Sequence, residues 1–362
     1  MSENPTTPVS PEAPGAEGSS RSSGDMDAVA AWMDDRGLGA GPVTHVAELS
    51  GGTQNEMFTF TRGHHRYVLR RPPRHRRAFS NRALIREMRV LAALAGTQVT
   101  VPPLIAACED PAVLDGPVFY LMEVVEGFNC MHELPALHAG SPRVRHQMGL
   151  EAAHAAAKLS QVDYVAVGLS ELGNPVGFLD RQVPRWLAEL DGYSALEGYH
   201  GPDLPGLDRV AEWLEANRPT RWRPGLMHGD FHLGNLMFRH HDAGIAAIVD
   251  WEMATVGDPL LDLGWLLATW PTADPPSEYA TNSAIGRAGG LPTRAEIIEI
   301  YAAESGRDTS AATWYQALAC FKLGILLEGT HARASAGKAS RAVGDRLHRR
   351  ARFLVGQADA LR

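Results

Sequence analysis

Three oxygen-bearing side chains stand out by type and spacing. Asp230 and Asn235 form a D-x-x-x-x-N pair within Leu226-Met-His-Gly-Asp-Phe-His-Leu-Gly-Asn-Leu-Met-Phe238. Asp250 follows in Ile248-Val-Asp-Trp-Glu252. Together they suit one job: a carboxylate that accepts a hydroxyl proton, beside an amide oxygen and a second carboxylate that hold Mg²⁺. Phosphoryl transfer from a nucleotide depends mainly on positioning and charge neutralisation, so it needs little more from the protein. Taken alone, the spacing also fits an ordinary surface loop. The two flanking apolar runs, joined by the turn Arg239-His-His-Asp-Ala-Gly244, predict a hairpin and favour the chemical reading. His228, Asp230 and His232 also spell H-x-D-x-H, which could bind zinc, but a hydrolytic zinc site takes three protein ligands and no second ligand cluster follows. His228 reads better as support for the loop around Asp230.

Other residues could serve the same chemistry. Leu49-Ser-Gly-Gly-Thr-Gln-Asn55 joins two strand-like runs. Its glycines allow either a plain hairpin turn or a phosphate loop in which Ser50, Gly51, Gly52 and Thr53 bring backbone N–H groups to an anion. It lacks the G-x-x-x-x-G-K-[ST] pattern. Arg70, on the strand-like Arg66–Arg71 run, could face phosphates with Glu87 of the next helix as its partner; a solvated basic edge is the alternative. Glu123 and Val125, at the end of an apolar run, could offer main-chain groups to a nucleotide base. Asp258 and Asp262, in Gly257-Asp-Pro-Leu-Leu-Asp-Leu-Gly264, read mainly as capping or loop-supporting carboxylates, since Asp-Pro fits a helix start.

The surrounding elements must position these groups. Residues 1–24 are rich in Pro, Ser, Gly, Glu and Thr and predict a disordered tail. Asp25 then suits an N-cap for a helix bearing Met26, Val29, Ala30 and Met33. Strands are expected at Val43–Leu49, Glu56–Thr61, Arg66–Arg71, Leu104–Cys108 and Val118–Val124, with a helix capped by Ser80 and ended by Gly96. Beyond Gly127, helices are expected near 143–160, 178–191, 205–217, 294–304, 311–334 and 341–357. The fold class is therefore α+β: an antiparallel-sheet part over 25–125 and a mostly helical part over 126–362. Asp191, Asp203, Asp208 and Glu328 read as solvated helix faces, with attraction of a polycation as the alternative. Trp186, Tyr193, Trp265, Trp270 and Trp314 read as core.

The chain has 362 residues, with 44% hydrophobic, 21% charged and a formal net charge of −8. That balance suits a globular protein and argues against general nucleic-acid binding, which needs clustered cations. Cys108, Cys130 and Cys320 form no C-x-x-C pair and read as buried thiols. The longest apolar candidate for a membrane span, Leu260–Trp270, is cut by Asp262, so no membrane partner is expected. With no signal-like N-terminus, a cytoplasmic location is the expectation.

With these residues in view, the chain resembles the aminoglycoside phosphotransferase/choline kinase-like family, a branch of the protein-kinase-like fold. The motifs are His228-Gly-Asp230 with Asn235, Asp250-Trp-Glu252 and Gly257-Asp-Pro-Leu-Leu-Asp262, and the likeness covers roughly residues 27–340. Val68-Leu-Arg-Arg-Pro-Pro73, Met122-Glu-Val-Val-Glu-Gly127 and Trp314-Tyr with Phe321-Lys-Leu resemble the subgroup related to kinase domains fused to acyl-CoA dehydrogenases. The resemblance implies a bilobal fold and ATP or GTP as co-substrate with Mg²⁺. It implies Asp230 as base, Asn235 and Asp250 as metal ligands, and Ser50–Thr53 as phosphate loop. Arg70 and Glu87 become the phosphate-orienting pair, although many relatives carry Lys where Arg70 stands. Lys158-Leu-Ser-Gln161 departs too, where many relatives carry a His before the turn. The acceptor implied is a small hydroxylated molecule, such as an aminoglycoside or a hydroxyacyl-CoA-like metabolite. A nucleotide-binding regulatory module with little catalysis is the competing expectation, and a zinc hydrolase is the third.

Overall fold

The computed structural model describes residues 16–49, 55–73, 78–271 and 283–362. The chain divides into two compact units, one drawn from Met1–Ile85 with Leu104–Val124, the other from Arg86–Pro103 with Val125–Arg362.

The smaller unit is an antiparallel sheet with one helix packed on it. Helix α1 (Ala16–Asp34) precedes strands β1 (Val43–Glu48), β2 (Glu56–Arg62) and β3 (His65–Arg71); α2 (Ala78–Leu94), β4 (Leu104–Cys108) and β5 (Phe119–Glu123) follow. The sheet order is β1-β2-β3-β5-β4. Strand alternation explains the packing. Phe58 and Phe60 of β2, Tyr67 and Leu69 of β3, and Phe119 and Leu121 of β5 turn to one face. There they meet Met26, Val29, Trp32 and Met33, which recur at helical spacing on α1. Trp32 sets its edge on Phe119 with ring centroids 4.9 Å apart. Arg71 stays buried by bonding Asp25 Oδ2 at 2.5 Å and Glu56 Oε2 at 2.9 Å.

Two sequence expectations change here. Asp25 is not a helix start: α1 begins upstream at Ala16, and the Asp25 carboxylate faces Arg71 instead. Once α1 is nucleated by its packed turns, each further residue joins at little cost, so the helix outruns its apolar stripe. Likewise α2 starts at Ala78, so Ser80 lies within it rather than capping it. The chain from Ser50 to Thr53 lies outside the described residues.

The larger unit is mostly helical. It contains β6 (Phe128–Asn129), α3 (Ala136–Gly140), α4 (Pro142–Ser160), α5 (Gln182–Gly192), α6 (Leu207–Ala216), β7 (Gly225–Met227), β8 (Leu236–Phe238), β9 (Ile245–Ile248), β10 (Thr255–Gly257), α7 (Leu260–Thr269), α8 (Ala284–Ala288), α9 (Arg294–Ser305), α10 (Ala312–Ser335) and α11 (Arg341–Ala360). Strands β6, β8 and β9 form one small sheet, and β7 pairs with β10. Trp186, Tyr193, Trp265, Trp270 and Trp314 are all buried, as their core reading required. Glu328 is fully buried, so neither a solvated helix face nor a cation-attracting surface describes it. Leu260–Thr269 is one helix with nearly every residue buried, which explains an apolar run that reads like a short span. Among the described residues no helix is long and apolar enough to cross a membrane. Gly264 of α7 faces the Tyr315 carbonyl of α10, where a Cβ would stand 2.4 Å from that oxygen. Glycine therefore sets how closely these two helices approach.

Candidate active site

The loop between β7 and β8 carries His228, Asp230 and Asn235, and the loop after β9 carries Asp250. The expected hairpin is present in part. Strands β8 and β9 pair antiparallel, Leu236 opposite Ile248, with Arg239–Gly244 turning between them. The run before Asp230, however, pairs elsewhere, with Val256 of β10 opposite Leu226 of β7. Two short pairings thus hold the segment from both sides.

Gly229 makes the turn possible. Its φ is +85°, and an added Cβ would lie 2.4 Å from the Met253 carbonyl oxygen, so no larger residue fits. The turn is then fixed by Asp262 of α7. Its Oδ2 accepts from His228 N at 2.7 Å and its Oδ1 from Gly229 N at 2.9 Å. Burial pushes the Asp262 carboxyl up to about 7, opposed by the Gly229 and His228 bonds and by the charge of Lys322.

His228 links the two loops. It is fully buried, and desolvation pushes its pKa down, so the ring is neutral at neutral pH. Its Nε2 is 2.9 Å from the Val249 carbonyl oxygen, and the Asp230 N–H reaches its Nδ1 at 3.3 Å. A carbonyl only accepts and an amide N–H only donates, so Nε2 carries the proton and Nδ1 the lone pair. Both nitrogens are therefore committed, which removes His228 as a ligand and with it the H-x-D-x-H zinc reading. The Trp251 ring lies 4.7 Å from the imidazole, centroid to centroid.

Asp230 and Asn235 share direct bonds. Asn235 Nδ2 donates to the Asp230 carbonyl at 2.8 Å and to its Oδ2 at 3.2 Å. With the amide nitrogen so engaged, the Asn235 carbonyl oxygen is the atom it can offer a cation. His232 Nε2 stands 3.5 Å from Asp230 Oδ2. Desolvation would raise the Asp230 carboxyl, but His232, His228 and Asn235 together bring it down to about 2. Asp230 is therefore an anion at any working pH. Asp250 holds a left-handed backbone with φ +69°. Few non-glycine residues adopt it, and aspartate is among those that tolerate it.

The remaining predicted residues distribute as follows. Asp258 is buried, with Oδ1 accepting from Leu260 N at 3.1 Å and Oδ2 from the Tyr315 hydroxyl, so it joins the start of α7 to α10. Burial pushes its carboxyl up. Arg70 is buried on β3 and Glu87 on α2. Glu123 ends β5 exposed, and Val125 is half-buried.

Lys322 of α10 was visible in the sequence only as part of Phe321-Lys-Leu. It is buried, its Nζ donates to the Gly229 carbonyl at 3.3 Å, and it lies 4.5 Å from the Trp265 ring centroid and 5.3 Å from that of Trp186. Desolvation pulls its pKa down to about 8, opposed by Asp262 and Asp230. A cation between two aromatic faces gains quadrupole attraction in place of water. Beside β10, a cavity of about 560 Å³ is lined by Phe178, Arg181, Gln182, Arg185, Thr255 and Val256, among others.

The profile of the phosphotransferase enzyme family matches residues 45–297. Acyl-CoA dehydrogenase family member 10 of Mus musculus is 29% identical over 305 residues, covering 83% of this chain and 28% of that protein. The chain spans 28–38% of the length of several such curated relatives. A Ralstonia eutropha JMP134 protein, provisionally named an aminoglycoside phosphotransferase, superposes with a TM-score of 0.78 at 30% identity, covering 92% of this chain and 97% of that one. A ternary complex of the aminoglycoside phosphotransferase APH(4)-Ia with ADP and hygromycin B shares the fold at 14% identity and a TM-score of 0.53, covering 90% and 96%.

Proposed function

We propose, from the premise that this chain belongs to the phosphotransferase enzyme family, that it moves the γ-phosphoryl group of ATP or GTP to a hydroxyl of a small molecule. The observation that carries the reading is the pair of hydrogen bonds made by the His228 ring, which holds the Asp230 loop and the Val249–Asp250 segment to one imidazole. Asp230 then serves as the group that orients the acceptor hydroxyl and takes its proton as the O–P bond forms. A carboxylate held near pKa 2 is a weak base, so proton uptake comes late and orientation dominates. Asn235 and Asp250 would supply oxygen ligands of the kind Mg²⁺ takes, and the ion would neutralise phosphate charge there. Arg70, Glu87 and the Ser50–Thr53 segment are assigned to the nucleotide phosphates, and Glu123 and Val125 to its base.

For the acceptor we favour a neutral or anionic hydroxylated metabolite, of the hydroxyacyl-CoA kind, over a polycationic aminoglycoside. Arg185 lines the cavity beside β10. Lys322 sits close enough to feel the charges of both Arg185 and Asp230. Arg181 and Arg185 outnumber the lining carboxylate Asp180, a balance that disfavours a polyamine. The test is nucleotide turnover with Mg²⁺ across a panel of hydroxyacyl-CoAs, aminoglycosides, macrolides and choline-like amines. Acceptor-dependent ADP or GDP release with an acyl-CoA alcohol supports the assignment. Release with aminoglycosides alone overturns the acceptor class, and nucleotide binding without release under any acceptor returns the chain to a regulatory module.

A further inference from the structure

A second cluster of ligand-type side chains lies outside the catalytic loop and outside the matched residues 45–297. Helix α10 presents Glu328 and His331 one turn apart, and α11 presents His348. One ligand atom from each lies within 4.8 Å of the others. Glu328 is fully buried. Its Oε1 accepts from the Tyr199 hydroxyl at 2.9 Å, and its Oε2 lies 2.6 Å from His348 Nδ1.

Two features set this cluster apart from a plain ion pair. The His331 and His348 rings stack with centroids 4.5 Å apart and planes 28° apart. In addition, His331 Nδ1 is buried without a hydrogen-bond partner; the nearest carboxylate, Asp345 Oδ1, stands 3.6 Å away. A buried polar atom left unbonded costs stability unless something satisfies it.

We propose that Glu328, His331 and His348 form a divalent transition-metal site, suited best to Zn²⁺, that fastens α11 to α10. Two imidazoles and one carboxylate are a familiar zinc ligand set, completed by water or by the nearby Asp345. Tyr199 would play the outer-shell part, aiming the carboxylate by its hydroxyl bond. Drawing three atoms from a 4.8 Å cluster to zinc distances near 2.1 Å needs only small side-chain movements. The His348–Glu328 hydrogen bond would give way to two metal bonds. The proposal does not depend on the transferase reading.

The experiment uses the full untagged chain, stripped with chelator and dialysed into metal-free buffer. Titration calorimetry with ZnCl₂ is expected to show one saturable site per chain, and Zn²⁺ to raise the melting temperature. His331→Ala, which keeps the Tyr199–Glu328–His348 bonds, should weaken that affinity by at least roughly tenfold, the usual cost of losing a metal-site partner. Because His331→Ala could fail to fold, Co²⁺ is also added to the wild-type chain, where tetrahedral visible bands are expected. Absence of saturable Zn²⁺ and Co²⁺ binding by the wild-type chain overturns the proposal. So does equal Zn²⁺ affinity and stoichiometry in a folded His331→Ala variant.

Discussion

Two carboxylates are buried to the same depth in the larger unit, yet they are held in opposite ways. Asp262 is met by the backbone N–H groups of His228 and Gly229. Glu328 is met by the side chains of Tyr199 and His348. Main-chain partners cannot swing away, so Asp262 fixes the path of a loop. Side-chain partners can rotate, so the Glu328 site can exchange one set of bonds for another. Depth of burial is the same in both places; what differs is whether the partners can be replaced, and that decides which site is scaffold and which can take a ligand.

The largest expected separation is in turnover. Asp230→Asn should lower acceptor-dependent nucleotide turnover by roughly 10²–10⁴-fold, the usual scale for losing a positioned proton acceptor. His331→Ala should leave turnover near the wild-type level, because it touches only the second cluster. Steady-state release of ADP or GDP measures both. Comparable losses in the two variants would erase the distinction between the sites.

A smaller contrast is thermodynamic. Asp262→Ala strands two buried N–H groups, for which about 2–4 kcal/mol of stability should be lost in urea unfolding. Glu328→Gln keeps an acceptor for the Tyr199 hydroxyl and should cost less than half as much. If the two variants unfold at the same urea concentration, the main-chain character of the Asp262 bonds has no special weight.

The smallest effect is a pH dependence with opposite signs for Asp262 and for Asp230 of the loop it fixes. Burial pushes the Asp262 carboxyl up to about 7 from the ordinary carboxylate range, so its contribution to stability is full below about pH 4 and fades as pH rises towards 7. Asp230 is brought down to about 2, so its contribution is present above about pH 4 and is lost as pH falls towards 2. Melting temperatures from pH 3 to 8 should therefore fall less steeply over pH 5–7 in Asp262→Asn than in the wild-type chain. An unchanged slope there would remove Asp262 as its source. His232→Ala should carry the Asp230 transition to higher pH, read from the acid limb of turnover.

The sequence made some of this arrangement legible because its signals are local. Alternating Phe58, Phe60, Tyr67 and Leu69 announce strands, and the spacing of Asp230 and Asn235 survives folding as a direct bond. Other features depend on contacts distant in the chain. Asp262 showed itself as a charge interrupting Leu260–Trp270, but its two N–H partners lie more than thirty residues upstream. Lys322 looks like any helix lysine until Trp186 and Trp265 close over it. Glu328 reads as a solvated helix residue because its partners come from α11 and Tyr199. Asp25 misled because a capping residue type was free to serve as an ion-pair partner within a longer helix.

The left-handed turn at Asp250 narrows the futures open to this chain. Asparagine and glycine accept such a backbone readily, whereas β-branched and bulky residues do not. A lineage that discards the carboxylate while keeping the architecture will therefore pass through one of those two residues. Gly at this position would remove the proposed metal ligand while leaving the turn intact.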